Sequence, residues 1–254
     1  MTSIFSVIES DIEKAFVQKY ASQVNTTTKL LEVYEAFIKA TSGIVKDNEF
    51  PKWTIMILLS QTLPLMNNAL VLLSKGYLRS SEMFIRIAAE GMILGAYFTE
   101  FPDVEVEFRT TNYREFFHNH RVENMLKRVE KEGKLLISNK ETAKQVKWHK
   151  IVFGNLYEES SRFVHQNIDL IYDITIDQIN TDKGKANLII GPQLYPDGVL
   201  SMGLRRILNA TLFSLVVLGV ALNINSDDKE KKIMEDAQKV IEELNKPIHE
   251  RALI

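Results

Sequence analysis

Hydrophobic positions recur at helical spacing through most of this chain. Phe5, Ile8, Ile12, Ala15 and Phe16 mark one face of a helix over Ile4–Tyr20. Leu30, Tyr34, Phe37 and Ile38 mark a second, with Thr27 or Thr28 as its cap. Asn48-Glu49-Phe50-Pro51 breaks the pattern, and Pro51 suits the first turn of a third helix that Pro64 should kink. Gly76 separates that helix from another over Tyr77–Glu100, which Phe101-Pro102 ends. A long polar helix is predicted over Val104–Lys131, closed by Gly133, and another over Lys140–His165.

The period then changes. Ile168, Leu170, Tyr172, Ile174 and Ile176 alternate with Asp169, Asp173, Thr175 and Asp177, as a half-buried strand requires. Thr181-Asp182-Lys183-Gly184 signals a turn, and Ala186–Ile190 reads as the return strand. Leu200–Asn223 is apolar again, and Asp227 or Asp228 opens a charged helix with Ile233, Ala237, Val240 and Leu244 on one face. No repeat or linker divides the sequence. The expected architecture is all-α: a multi-helix bundle forming a single helical domain over residues 1–254, with a small β-hairpin appended near 168–190.

Composition narrows the classes. The chain has 254 residues, 45% of them hydrophobic, enough for a sizeable core. A net charge of -2 gives no global attraction to nucleic acid or anionic lipid. The absence of cysteine excludes disulfides, thiolate metal sites and cysteine nucleophiles. Glu9, Asp11 and Glu13 stand where a signal peptide needs a continuous apolar run, so a cytoplasmic location is expected. Thr54–Leu73 and Ile207–Ile224 carry no charge and approach the length of a membrane span. Ser60, Gln61, Pro64, Asn67 and Asn68 in the first, and Asn209, Thr211, Ser214 and Asn223 in the second, suit central helices of a bundle better. No membrane partner is expected.

Candidate chemistry starts with a charged stripe. At about 100° per residue, Arg79, Glu82, Arg86 and Glu90 fall within roughly one quarter of a helix whose other positions are apolar or small. Buried charge is costly unless paired or placed at a wet cleft, so the stripe is either an internal ion-pair ladder or one wall of a site. Downstream, Tyr157, Ser161 and His165 are spaced by four on one side of a helix. His165 could act as acid or base there while Tyr157 positions a substrate. The plainer alternative has His165 capping the helix end while Tyr157 and Ser161 satisfy each other or the backbone. His149, on the apolar side with Val152, Phe153 and Leu156, reads as a core histidine.

Arg79-Ser-Ser-Glu82 followed by Tyr157-Glu-Glu-Ser-Ser161-Arg-Phe-Val-His165 resembles an uncharacterised prokaryotic all-helical family with R-x-x-E on one helix and Y-x-x-x-S-x-x-x-H on a later one. The resemblance covers roughly Leu72–Asn167. Some members look related to the HEPN superfamily, which includes ribonucleases and toxins of antiphage defence and toxin–antitoxin systems. It implies a metal-independent, RNA-acting protein needing no cofactor. His165, Tyr157, Arg79 and Glu82 would be catalytic, and Arg86, Glu90 and Ser161 would bind substrate. The arginines would hold phosphate, His165 would move the proton, and Glu82 or Glu90 would orient the arginines. Arg114 and His120 fit the superfamily's R-x(4–6)-H spacing, with Glu115 where asparagine or aspartate is usual. Their helix is polar nearly all round, which reads as a solvated face.

No metal site is expected, because His118 and His120 diverge by about 200° on a helix. The chain carries no phosphate-binding glycine loop and no nucleophile elbow. Two readings stay open. One is the RNA-acting or toxin-type protein; the other is a non-catalytic helical interaction protein forming a homo-oligomer through its apolar C-terminal helices. An open cleft from Arg79 to His165 favours the first, and a sealed stripe favours the second.

Overall fold

A computed structural model describes residues 4–42, 45, 49–133, 156–164, 195 and 197–222. The helices among them are α1 (Ile4–Lys19), α2 (Ala21–Thr41), α3 (Phe50–Ser60), α4 (Thr62–Ser74), α5 (Leu78–Glu100), α6 (Pro102–Thr110), α7 (Tyr113–Asn119), α8 (Val122–Glu132), α9 (Glu159–Val164) and α10 (Asp197–Ala221). No strand occurs among the described residues, so the all-α class holds. The hairpin expected near 168–190, the helix expected after Asp227, His149 and His165 all lie outside the described residues.

α5 is the axis of the bundle, packed against α3, α4, α6, α8, α9 and α10. Its composition explains that position: Ile85, Ala88, Ala89, Met92, Ile93, Ala96, Tyr97 and Phe98 point in several directions and are all buried. α10 lies across α2, α3, α4 and α5, with Leu204, Ile207, Ala210, Leu215 and Leu218 in the same core. Much of its apolar surface is therefore used inside the bundle. By length and composition alone, two helices could cross a membrane: Asp197–Ala221 and the nearly continuous α3–α4, Phe50–Ser74.

Several local signals act as read. Pro51 sits in the first turn of α3, and Pro102 in that of α6. Gly76 turns the chain between α4 and α5 with φ 81°, a conformation side chains disfavour. The break that Pro64 predicts falls at Gln61, between α3 and α4. The polar core gathers there. The Tyr34 hydroxyl lies 2.6 Å from the Leu59 carbonyl and 3.0 Å from Thr62 Oγ1, which is 3.1 Å from Ser214 Oγ. A buried group at a helix break is costly if left unpaired, and residues of α2 and α10 satisfy this one.

Two boundaries differ from expectation. α2 begins at Ala21, so Thr27 caps nothing; it lies inside the helix and its hydroxyl donates back to the Gln23 carbonyl at 2.8 Å. The helix predicted over Val104–Lys131 is three short ones. Asn112 caps α7 by accepting the Arg114 N–H at 2.8 Å. The bends turn Phe108 and Phe116 inward against Phe98, with ring centroids 5.2 Å and 6.2 Å from it.

Candidate functional site

The charged stripe of α5 divides into a sealed half and an outer half. Glu82 is fully buried, as a carboxylate is only when paired. Arg206 of α10 donates from Nη1 to its Oε1 at 2.5 Å, and Ser160 of α9 donates from Oγ to its Oε2 at 2.7 Å. Arg206 is itself only 6% exposed and Ser160 not at all. The pair therefore closes the seam where α5, α9 and α10 meet, with each carboxylate oxygen engaged. In this arrangement Glu82 holds Arg206 and Ser160 within the fold.

The outer half faces the rim of the same seam. Arg86 pairs with Glu90 at 3.3 Å along the helix and sits 5.2 Å above the Tyr157 ring. Its side chain is 18% exposed, and that of Glu90 33%. Arg79, at the start of α5, is exposed. It lies close enough to Tyr195 to oppose, with its charge, the rise that burial imposes on that phenol's pKa. Ser161 turns back on its own helix, donating to the Tyr157 carbonyl at 2.5 Å, as the plainer alternative has it. The structure thus brings Arg86, Glu90 and Tyr157 together and encloses Glu82 behind them.

Arg206 and Ser160 were missed by the sequence reading. One signal pointed to that helix: Arg205-Arg206 stands in the middle of an otherwise apolar stretch, and charge so placed invites a partner. Ser160 sits beside the singled-out Ser161, one step round the helix and facing inward.

His120 holds a second constellation. Its Nε2 lies 3.1 Å from Glu107 Oε1 and its Nδ1 3.3 Å from the Tyr97 hydroxyl, which accepts from Arg128 Nη1 at 2.8 Å. The imidazole stacks on Phe116 at 4.6 Å between centroids. With both nitrogens engaged, the ring braces α5, α6 and α8 at the end of α7 and is not incidental on a solvated face. Arg114 is exposed on α7. Glu105 is likewise buried, accepting from Thr54 Oγ1 at 2.5 Å and Arg109 Nε at 2.7 Å. Among the described residues no group of three or more histidines and carboxylates could hold a metal ion.

No family model, curated protein or solved structure matches this chain.

Proposed function

We propose that the chain is a helical interaction protein that forms a homo-oligomer, and that the inner stripe of α5 serves the fold and not a reaction. The observation that carries this reading is a row on α3 and α4. Phe50 and Ile57 are each 54% exposed and Val71 51%, and Pro64 between them is also exposed. Every seventh residue returns to nearly the same face, shifted by about 20°, so the four wind over roughly 60° as a shallow apolar row along the outside of the bundle. Exposed Gln61, Asn67 and Asn68 border it. An apolar line with polar neighbours is the pattern by which two helices from separate copies pair and fix register. A two-fold pairing of identical rows is self-complementary. The sealing of Glu82 supports the same reading by withdrawing the central carboxylate from chemistry.

Molecular mass measured by light scattering on eluting protein tests this. Wild type is expected to run as a dimer, and the double variant Ile57→Glu, Val71→Glu as a monomer with an unchanged melt. A monomeric wild type at about 100 µM, where even a weak specific pair is populated, would overturn the reading. Flotation of the wild type with lipid vesicles would overturn it too, assigning the row to a membrane.

A second reading rests on the outer half of the stripe. Arg86 stacked over Tyr157, with Arg79 exposed on the same helix, offers guanidinium groups beside a phenol at the surface. Such a set suits phosphate recognition in an RNA-acting or toxin-type protein. His165→Ala and Arg86→Ala should then abolish RNA cleavage or toxicity with the fold intact. Unchanged phenotypes leave the interaction reading in place.

A further inference from the structure

A cavity of about 290 Å³ opens between α1, the end of α4 and the start of α10. Ile12, Ala15, Phe16, Leu73 and Leu200 give it apolar walls, and Gly76 also lines it. Its volume falls at the lower end of ligand pockets and has room for roughly ten groups of about 30 Å³ each. Lys19, Tyr20, Tyr195 and Asp197 also line it. Lys19 and Asp197 are well exposed and so stand at its mouth, and the Tyr20 hydroxyl donates to Asp197 Oδ1 at 3.1 Å.

The cavity has the parts of an ammonium receptor. Phe16, Tyr20 and Tyr195 supply three aromatic rings around the pocket, the first two with centroids 5.2 Å apart. Ring faces attract a cation, and an apolar wall holds the carbon chain behind it. Asp197 supplies the anion. The protein already presents an ammonium to it: Lys19 Nζ lies 2.5 Å from Asp197 Oδ1, with its stem along the pocket. The side chains of that pair are 56% and 64% exposed, so the contact is weakly held and easily exchanged. An anionic ligand would meet Asp197 and would have to compete with it for Lys19.

We propose that this cavity binds a small alkylammonium ligand, its chain among Ile12, Phe16, Leu73 and Leu200 and its head on Asp197, where it takes the place of Lys19. Calorimetric titration of the full chain with hexylammonium, hexanoate and hexanol tests it. Hexylammonium should bind at least tenfold more tightly than hexanoate. Asp197→Asn should weaken hexylammonium severalfold while leaving hexanol unchanged, and Lys19→Ala, which removes the internal competitor, should tighten it by a similar factor. Ala15→Trp, a substitution at an exposed lining position, should block hexylammonium and hexanol alike without moving the melt. Preferential binding of hexanoate, weakened by Lys19→Ala, would overturn the proposal, as would the absence of hexylammonium binding to wild type.

Discussion

Glu82 and Arg206 meet across helices from distant parts of the chain, and the cost of separating them should dominate the mutational response of the core. Glu82→Ala leaves Arg206 charged in a site where it is 6% exposed, so a loss of about 3–5 kcal/mol is expected in urea unfolding. The double change Glu82→Met, Arg206→Met removes both charges at similar volume and should restore most of that loss. Arg86→Ala should cost less than Glu82→Ala, because Arg86 keeps partial contact with water and its pair with Glu90 lies along the surface of one helix. A double variant no more stable than Glu82→Ala alone would show that the pair contributes more than its own charges. The stripe itself was legible from spacing, and so was the alternative of an internal ladder. Arg206 as the partner was not, because helical spacing specifies neighbours within α5 and says nothing of which helix crosses it.

At the scale of elements, what was legible is what the chain decides locally. Pro51, Pro102, the break before Pro64 and the left-handed Gly76 each act through their own backbone geometry. The bends that split the segment after Pro102 carry no proline or glycine, and Asn112 marks one of them only as a cap; Phe108, Phe116 and His120 gain partners on α5 and α6 when the chain turns there. The two glycines of α5 test the closeness of its packing. A Cβ on Gly91 would meet nothing nearer than the Leu58 carbonyl oxygen at 3.5 Å, ordinary contact. Gly91→Ala should therefore stabilise by about 0.5–1 kcal/mol through helix propensity. A Cβ on Gly95 would lie 3.1 Å from Leu59 Cδ2, and Leu59 is fully buried. Overpacking there should outweigh the propensity gain, so Gly95→Ala is expected to lose about 1 kcal/mol. Equal gains at both sites would mean that α3 and α5 can move apart.

Across the whole molecule, tyrosine hydroxyls stitch helices that hydrophobic contact alone would leave free to slide. Tyr20 reaches from α1 to Asp197 at the start of α10, Tyr34 from α2 to the α3–α4 break, and Tyr77, 2.6 Å from Glu9 Oε1, joins the α4–α5 turn to α1. Burial, then the bond to Asp197, pushes the Tyr20 phenol up to about 12, and burial raises Tyr34 further. The bond to Glu9 raises Tyr77, and burial raises Tyr195. Because the folded pKa exceeds the unfolded value of 10.0, the protonated phenols contribute stability fully below pH 10 and lose it as pH climbs toward the folded values. Melting temperature should hold steady below that point as far as these groups are concerned, then fall steeply. Tyr34, the most enclosed, contributes on the order of 1 kcal/mol per pH unit over that range. Tyr34→Phe should lower stability at neutral pH by about 1 kcal/mol through the lost hydrogen bond, yet soften the alkaline fall. Phenolate absorbance and helical circular dichroism, followed together, check the account: ionisation of Tyr20 and Tyr34 should coincide with loss of helix. Phenols that ionise near pH 10 while the helices stay intact would show that these hydroxyls do not hold the bundle together.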